Sequence, residues 1–180
     1  RDKNLFEKAV QYEIFAGLQT SIVRRKIFDF LMFDEDVRIG EDRLLVYHAI
    51  LKGFKFAYLL EIHATYRVHG EHISNVCQSQ DVHVQTKKLL EYSKLYTKLL
   101  EIIPKSRKEY KKIIEKKLAD LFFWNIAYGV FWSHKYYKES FEYFKKGISL
   151  NPLNVIFWKT YLTCFLKYQL LYKKDEPPPC

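Results

Sequence analysis

Two adjacent carboxylates, Glu41 and Asp42, are the side chains of this sequence best placed to accept a proton in a reaction. They follow Gly40 and precede apolar residues at helical spacing that end near Gly53, the residue expected just beyond a helix C-cap. The pair therefore opens a predicted helix. Acids at a helix N-terminus usually only complement the helix dipole, with a stabilisation of under about 1 kcal/mol. Taken alone, the pair leaves capping and catalysis open.

The order of the short motifs around the acid pair is more informative than the pair itself. In chain order the motifs are Ser21-Ile22-Val23-Arg24-Arg25, Phe33-Asp34-Glu35, Gly40-Glu41-Asp42, Gly53, and Tyr66-Arg67-x-His69-Gly70 with Ile73-Ser74. In this order, residues 14–76 resemble the C-terminal half of the catalytic domain of family 2 glycosyltransferases, which have the GT-A fold. The resemblance implies an α/β fragment of a nucleotide-diphospho-sugar transferase over residues 1–79.

The resemblance implies an inverting transfer of a sugar from a nucleotide-sugar donor to a glycan or lipid-linked acceptor in surface polysaccharide synthesis. Such a transfer needs a base, because the acceptor hydroxyl loses its proton as its oxygen attacks the anomeric carbon. Asp42 matches the family's base, and Glu41 matches the neighbour that contacts the acceptor. Arg67 would contact the donor diphosphate, and His69 would bind a divalent metal ion, Mn²⁺ or Mg²⁺.

The family's main metal ligands and its donor-binding half are expected before Arg1. This chain is therefore expected to be the acceptor-side part of a longer enzyme and to be inactive alone. The segment Asp34-Glu35-Asp36 has the D-x-D form of a metal motif. Because it lies just before the acid pair, where the family does not hold its metal, we interpret it as a loop.

Two of the assigned residues also have ordinary structural explanations. The imidazole of His69 could bond a backbone carbonyl in a loop. The guanidinium of Arg67 could pair with Glu61 or with Asp42. These alternatives stay open on the sequence alone.

The elements that would position these residues alternate along the first half of the chain. Alternating β-branched residues predict a strand over 18–24, and an apolar run predicts a buried strand over 55–60. An edge strand over 64–70 would carry the histidine motif. Helical patterns are predicted over 4–11, 25–31 and 41–51.

The second half has the pattern of long helices, predicted over 82–103, 106–132, 136–150 and 155–172. Pro104 ends the first of them. Ser106 with Glu109 has the spacing of a capping box at the start of the second. Residues 80–180 are therefore predicted to be an all-α extension.

Within this extension, residues 121–154 resemble a single tetratricopeptide-type repeat. One repeat cannot bury its own faces, so the neighbouring predicted helices must pack on it. A plain helical hairpin explains the pattern equally well. The matching positions are Trp124, Phe131, Ser140, Phe144, Gly147 and Pro152.

The composition limits the class of protein. Of the 180 residues, 48% are apolar, which is enough for a core and argues against disorder. No apolar run approaches the roughly 18 residues that span a bilayer. The three cysteines form no CxxC pair, which excludes a disulfide scaffold and a zinc ribbon and favours a reducing compartment.

The charge is distributed unevenly. Residues 1–79 hold 11 of the 30 Lys and Arg residues and 11 of the 21 Asp and Glu residues, so the net charge of +9 lies in residues 80–180. This surface predicts contact with an anionic membrane, as in a cytoplasmic protein that is peripheral on the inner face of the cytoplasmic membrane. A solvated helix face, or a structural or protein-binding extension, is the alternative that the sequence leaves open. The lysines expected on this face are Lys87, Lys94, Lys98, Lys111, Lys112 and Lys116.

Nucleic acid is not predicted as a partner, because the aromatic residues of the extension fall at core spacing and should face inward. The alternative to the enzyme is a non-catalytic helical protein-interaction module that carries a transferase remnant. A strand ending in D-x-D upstream of Arg1 would favour the enzyme, and its absence would favour the module.

Overall fold

The computed structural model describes residues 5–11, 21–57, 65 and 81–172. Within these residues the regular secondary structure is helical throughout. The helices are α1 (Leu5–Val10), a 3₁₀ helix (Arg25–Asp29), α2 (Glu41–Leu51), α3 (Val82–Ile102), α4 (Lys108–Asp120) with a π-helical continuation (Leu121–Trp132), α5 (Tyr137–Leu150), and α6 (Val155–Lys167) with a π-helical continuation (Tyr168–Tyr172).

The helix predictions are confirmed to within about two residues at each end in the second half of the chain. The predicted capping box at the start of the second of these helices is not formed. Helix α4 begins at Lys108, so Ser106 lies in the preceding turn and Arg107 stands directly before the helix. The carboxylate of Glu109 instead lies 3.8 Å from the guanidinium of Arg107.

The α/β fragment predicted for residues 1–79 is wrong in the part of the chain that the structure describes. Residues 21–24 and 55–57, which belong to two of the predicted strands, have no regular secondary structure, and Thr65 lies in no strand. A strand needs a neighbour that pairs its N–H and C=O groups, whereas a helix pairs its own. Short apolar runs cannot be assigned by periodicity alone. The other residues of these predicted strands lie outside the described residues.

The chain forms two compact units, residues 1–115 and residues 116–180. The resemblance to the transferase family predicts a division at residue 79 instead. The division after residue 115 follows packing, whereas the division at residue 79 follows the sequence motifs. In packing terms, α3 belongs with α2, because the two helices contact each other within the first unit.

The first unit holds α2 between α1 and α3. The hydroxyl of Tyr47 on α2 donates to the carbonyl oxygen of Ala9 on α1 at 3.3 Å. The ring of Phe6 on α1 stacks on Tyr110 with centroids 4.5 Å apart. Leu45 and Ala49 add a second apolar contact by packing with residues of the segment 27–31.

Helix α2 ends as the sequence predicts. Gly53 has φ +80°, and its N–H donates to the carbonyl of Ile50 at 3.0 Å. The N–H of Phe54 donates to the carbonyl of Ala49, also at 3.0 Å. These two bonds are the Schellman motif, which satisfies carbonyls that the helix leaves without partners.

The second unit is built on the contact between α5 and the π-helical segment 121–132. Phe123 is fully buried and stacks face to face on Phe157 of α6, with ring centroids 4.0 Å apart. The ring of Phe144 lies 4.6 Å from the ring of Phe123. The hydroxyl of Ser140, also fully buried, donates to the carbonyl of Ala127 at 2.9 Å. The buried polar group is thus satisfied.

Gly147 sets the spacing between these helices. A Cβ at this position would lie 2.7 Å from Cβ of Phe123 and 3.0 Å from the carbonyl oxygen of Ala119. No real side chain tolerates the first distance. The absence of a side chain at Gly147 therefore allows α5 to approach the neighbouring helix closely.

We predict that Gly147→Ala destabilises the second unit by about 1–2 kcal/mol. Overpacking costs about 1–3 kcal/mol, and the better helix propensity of alanine offsets up to about 1 kcal/mol of it. Urea unfolding followed by circular dichroism measures the change. Ser149→Ala, at an exposed position on the same helix, is the control and should change stability by no more than about 0.5 kcal/mol. Unchanged or increased stability of Gly147→Ala would contradict the packing described.

Candidate functional site

The predicted acid pair opens α2, as the sequence analysis expects. Glu41 and Asp42 are the first two residues of the helix, and Gly40 occupies the N-cap position. The Glu41 side chain is exposed and the Asp42 side chain is half-buried. Both carboxylates therefore lie at the end of the helix where backbone N–H groups lack helical partners.

Gly40 has two constraints that favour glycine. Its φ is +86°, in the left-handed region that other residues rarely adopt. A Cβ at Gly40 would lie 3.1 Å from Cδ2 of Leu95 and 3.6 Å from Cε2 of Tyr92, both on α3. The start of α2 is therefore packed against α3 at the residue before the acid pair.

Arg43 links the acid pair to the same region of α3. Oδ1 of Asp42 accepts a hydrogen bond from the backbone N–H of Arg43 at 2.7 Å. The guanidinium Nη1 of Arg43 donates to the hydroxyl of Tyr92 at 2.9 Å. Tyr92 lies 49 residues after Arg43 in the chain, and no local pattern of the sequence indicates this contact. The Arg43 side chain thus ties the first turn of α2, which carries Asp42, to α3.

The loop before α2 is held by a second contact with α3. The interpretation of Asp34-Glu35-Asp36 as a loop is confirmed, since these residues are part of no helix. Oδ1 of Asp34 accepts from the backbone N–H of Asp36 at 3.0 Å. Nζ of Lys98 lies 3.2 Å from Oδ2 of Asp34 and 3.0 Å from Oδ2 of Asp36. One lysine therefore bridges two carboxylates of the loop.

This bridge changes the acid–base behaviour of its members. The hydrogen bond from Lys98 lowers the pKa of Asp36 below its usual range, and the charge of the same lysine adds to the effect. In return, the hydrogen bonds to Asp36 and Asp34 raise the pKa of Lys98. The groups are at the surface, where solvent and salt screen such pairs. The bridge orders the loop more than it stabilises the fold.

His48 lies in the last turn of α2. Partial burial lowers its pKa, and the positive charge of Lys52 lowers it further. The imidazole is therefore less easily protonated than a histidine in water.

The other two predicted site residues, Arg67 and His69, lie outside the described residues. Their roles, and the alternatives given for them, stay predictions. Among the residues that the structure describes, no three metal-ligand side chains come together. The carboxylates of Asp34 and Asp36 are paired with Lys98, in keeping with their interpretation as a loop and not as a metal motif.

The predicted lysine surface is only partly available for a partner. Lys87, Lys112 and Lys116 are exposed. The charge of Lys98 is compensated by two carboxylates, and Nζ of Lys94 lies 2.9 Å from Oε1 of Glu91. In the segments that the structure describes, no helix is both long and apolar enough to cross a membrane.

The inward orientation predicted for the aromatic residues holds for the ones at the centre of the second unit. Phe123, Phe131 and Phe144 are buried. Tyr128 is exposed, and Phe122 and Phe141 are half-buried. Packing in the core therefore accounts for the spacing of most, but not all, of these aromatic residues.

Comparison of the chain with protein-family models, with curated proteins and with solved structures found no match.

We predict that replacing Lys98 raises the pKa of Asp36. In Lys98→Met the carboxyl loses the hydrogen bond and the charge that favour its ionised form, so its pKa returns toward the usual value. The stability that this contact supplies is present above the pKa of Asp36 in the unfolded chain and is lost as the pH falls through the lower pKa of the folded state. An NMR titration of the Asp36 carboxyl carbon measures the shift.

Lys112→Met is the matched control, since Lys112 is an exposed lysine of α4 with no part in the bridge. It should leave the titration of Asp36 in place. An Asp36 titration that is the same in Lys98→Met and in the unchanged chain would contradict the bridge.

We further predict that Gly40→Ala destabilises the first unit by about 1–2 kcal/mol or more. The left-handed conformation alone costs an L-residue about that much, and the new methyl group would press on Leu95. Thermal and urea unfolding measure the change. Arg38→Ala, an exposed position in the same loop, should lie within about 0.5 kcal/mol of the unchanged chain. Equal stability of the two variants would contradict the role of Gly40.

Proposed function

We propose that this chain supplies the acceptor-side carboxylates of an inverting glycosyltransferase of surface polysaccharide synthesis. The observation that carries the proposal is the position of Asp42. Its carboxylate is at the N-terminus of α2, accepts from the N–H of Arg43 at 2.7 Å, and is only half-buried. The type of reaction is proposed from the order of the sequence motifs around Asp42, which resembles that of family 2 glycosyltransferases.

In the proposed reaction, an acceptor hydroxyl oxygen attacks the anomeric carbon of the donor sugar. The new bond joins that oxygen to the anomeric carbon, while the bond from the anomeric carbon to the nucleoside diphosphate breaks. Asp42 takes the proton of the hydroxyl, and the diphosphate leaves with the bonding electrons. Glu41, exposed beside Asp42, would hold the acceptor by hydrogen bonds to its hydroxyl groups.

A base must be held in place to act efficiently, because proton transfer needs hydrogen-bond distance in a reactive geometry. The contacts of Gly40 with Leu95 and of Arg43 with Tyr92 supply this restraint. Neither contact depends on a β-sheet. The proposal therefore rests on the carboxylates and their helix, and it does not use the α/β fragment.

The proposed reaction also has a donor side. Arg67 would contact the diphosphate of the nucleotide-sugar, and His69 would be one ligand of Mn²⁺ or Mg²⁺. A divalent cation would supply neutralisation of the leaving diphosphate. Further donor-binding residues would come from a longer protein that contains this chain.

The proposal includes an anionic membrane surface as a partner of the basic helices, because a lipid-linked acceptor would lie there. A Lys or Arg near such a surface contributes about 1 kcal/mol. Three exposed lysines of the expected set, at 87, 112 and 116, are in none of the ion pairs of the described residues, and Lys111 of the same set is half-buried. The proposed location is the inner face of the cytoplasmic membrane.

A second candidate function is a helical protein-interaction module without catalysis. One observation favours it, namely the close contact that Gly147 allows between α5 and the segment 121–132. The pattern of tetratricopeptide repeats includes small residues, Gly and Ala, and residues 121–154 resemble such a repeat. A sequence upstream of Arg1 that lacks a strand ending in D-x-D would favour this function.

We predict that Asp42→Asn abolishes sugar transfer by the longer protein. An amide keeps the shape of the side chain but cannot accept the proton, so the rate should fall by a factor of about 10² or more. Folding and donor binding should be nearly unchanged. Turnover with a labelled nucleotide-sugar, together with donor binding by calorimetry, measures both properties.

Glu41→Gln is the matched control, since it makes the same chemical change at the adjacent position. It should mainly raise the apparent Michaelis constant for the acceptor. If Glu41→Gln is inactive and Asp42→Asn active, the two roles are reversed. If both variants retain full turnover, the second candidate function is favoured.

A further inference from the structure

Helix α6 is apolar on two opposite faces. Its inner face carries Phe157 and Cys164, which are buried in the core of the second unit. Its outer face carries Val155, Leu162 and Leu166, whose exposed fractions are 76%, 53% and 58%. The spacings of seven and four residues place these three side chains in one stripe along the helix.

The stripe is unusual for a helix at a surface. A surface helix normally has polar residues opposite its core face, and a helix that is apolar all round is normally covered. Leu170 extends the stripe into the π-helical turn and is 68% exposed. Trp158 and Phe165, both partly exposed, border it on one side. Large exposed apolar patches of this kind mark interaction sites.

The charges on α6 indicate what covers the stripe. Residues 155–172 contain two lysines, Lys159 and Lys167, and no acidic residue. Both lysines are exposed. Lysine stems can lie along an apolar surface while their ammonium groups reach phosphate headgroups. Tryptophan is enriched at the interface between lipid and water. Helices that lie in the plane of an anionic membrane surface share these features, namely an apolar stripe, neighbouring lysines and a tryptophan.

A second copy of the chain is a poorer match for the same surface. Two copies that meet through α6 would bring Lys159 and Lys167 of each copy into the contact, and α6 offers no carboxylate to pair with them. Lysine is among the residues depleted at protein interfaces. Lipid headgroups, in contrast, supply negative charge that the ammonium groups of both lysines can reach.

We propose that the outer face of α6 docks in the headgroup region of an anionic phospholipid bilayer, with Val155, Leu162 and Leu166 inserted and Lys159 and Lys167 at the phosphates. This surface differs from the lysines of α3 and α4 discussed above. It shares with the proposed function only the anionic bilayer as a partner, and it does not depend on sugar transfer.

The test is co-sedimentation of the 180-residue chain with vesicles. One set contains equal parts of phosphatidylcholine and phosphatidylglycerol, and the other contains phosphatidylcholine alone. We expect binding to the anionic set that weakens but persists at high salt, since the inserted side chains are not screened. Leu162→Gln combined with Leu166→Gln should lower the partition coefficient at least about tenfold, as expected for withdrawing two leucines from an apolar phase.

Ile22→Gln combined with Met32→Gln is the matched control, because these two apolar side chains are also exposed but lie in the first unit. It should leave the partition coefficient unchanged. Lys159→Gln combined with Lys167→Gln should reduce binding to anionic vesicles. Circular dichroism checks that each variant is folded. If the leucine variant unfolds, Val155→Gln combined with Leu170→Gln replaces it.

Three results would overturn the proposal. The first is the absence of binding to either set of vesicles. The second is binding that high salt abolishes and the leucine variant retains, which would assign the contact to the lysines of α3 and α4 alone. The third is a dimer in sedimentation velocity that the leucine variant dissociates, without vesicle binding, which would make α6 an interface between two copies.

Discussion

The backbone of Gly40 lies so close to α3 that a Cβ there would be 3.1 Å from Leu95, and its φ of +86° is one that L-residues avoid. The contact fixes where α2 begins. It joins residues 55 positions apart in the chain, and it lies directly before the two carboxylates. The position of Asp42, and the chemistry proposed for it, depend first on this close approach of the chain to α3.

Two further contacts with α3 follow from the same arrangement. Arg43 donates to Tyr92, and Lys98 bridges Asp34 and Asp36 in the loop before α2. Together they restrain the loop and the first turn of the helix from one side. Contacts within α2 alone would leave its N-terminal turn free to fray, since the first N–H groups of a helix have no helical partners. Helix α3 is therefore the support of the candidate site.

Local sequence signals predict the helices well, but they predict the strands and the contacts between distant residues poorly. Apolar spacing and Gly53 give α2 and its end, because these depend on residues within one or two turns. The strands predicted at 18–24 and 55–60 depend on pairing with distant residues, and short apolar runs carry no information on such pairing. No local pattern predicts the contact of Tyr92 with Arg43 or that of Lys98 with Asp36, because the partners are 49 and 62 residues apart in the chain. The sequence does indicate the acid pair, because Glu41 and Asp42 are adjacent in the chain.

The distance between Gly40 and Leu95 can be measured directly by NMR. In the 180-residue chain with labelled leucine methyl groups, the account predicts a strong nuclear Overhauser effect between the α protons of Gly40 and a δ methyl group of Leu95. A weaker effect from the same methyl group to the ring of Tyr92 would be consistent with their shared helix face. A spectrum with Leu95 assigned and without any effect to Gly40 would contradict the claim that α3 positions the acid pair.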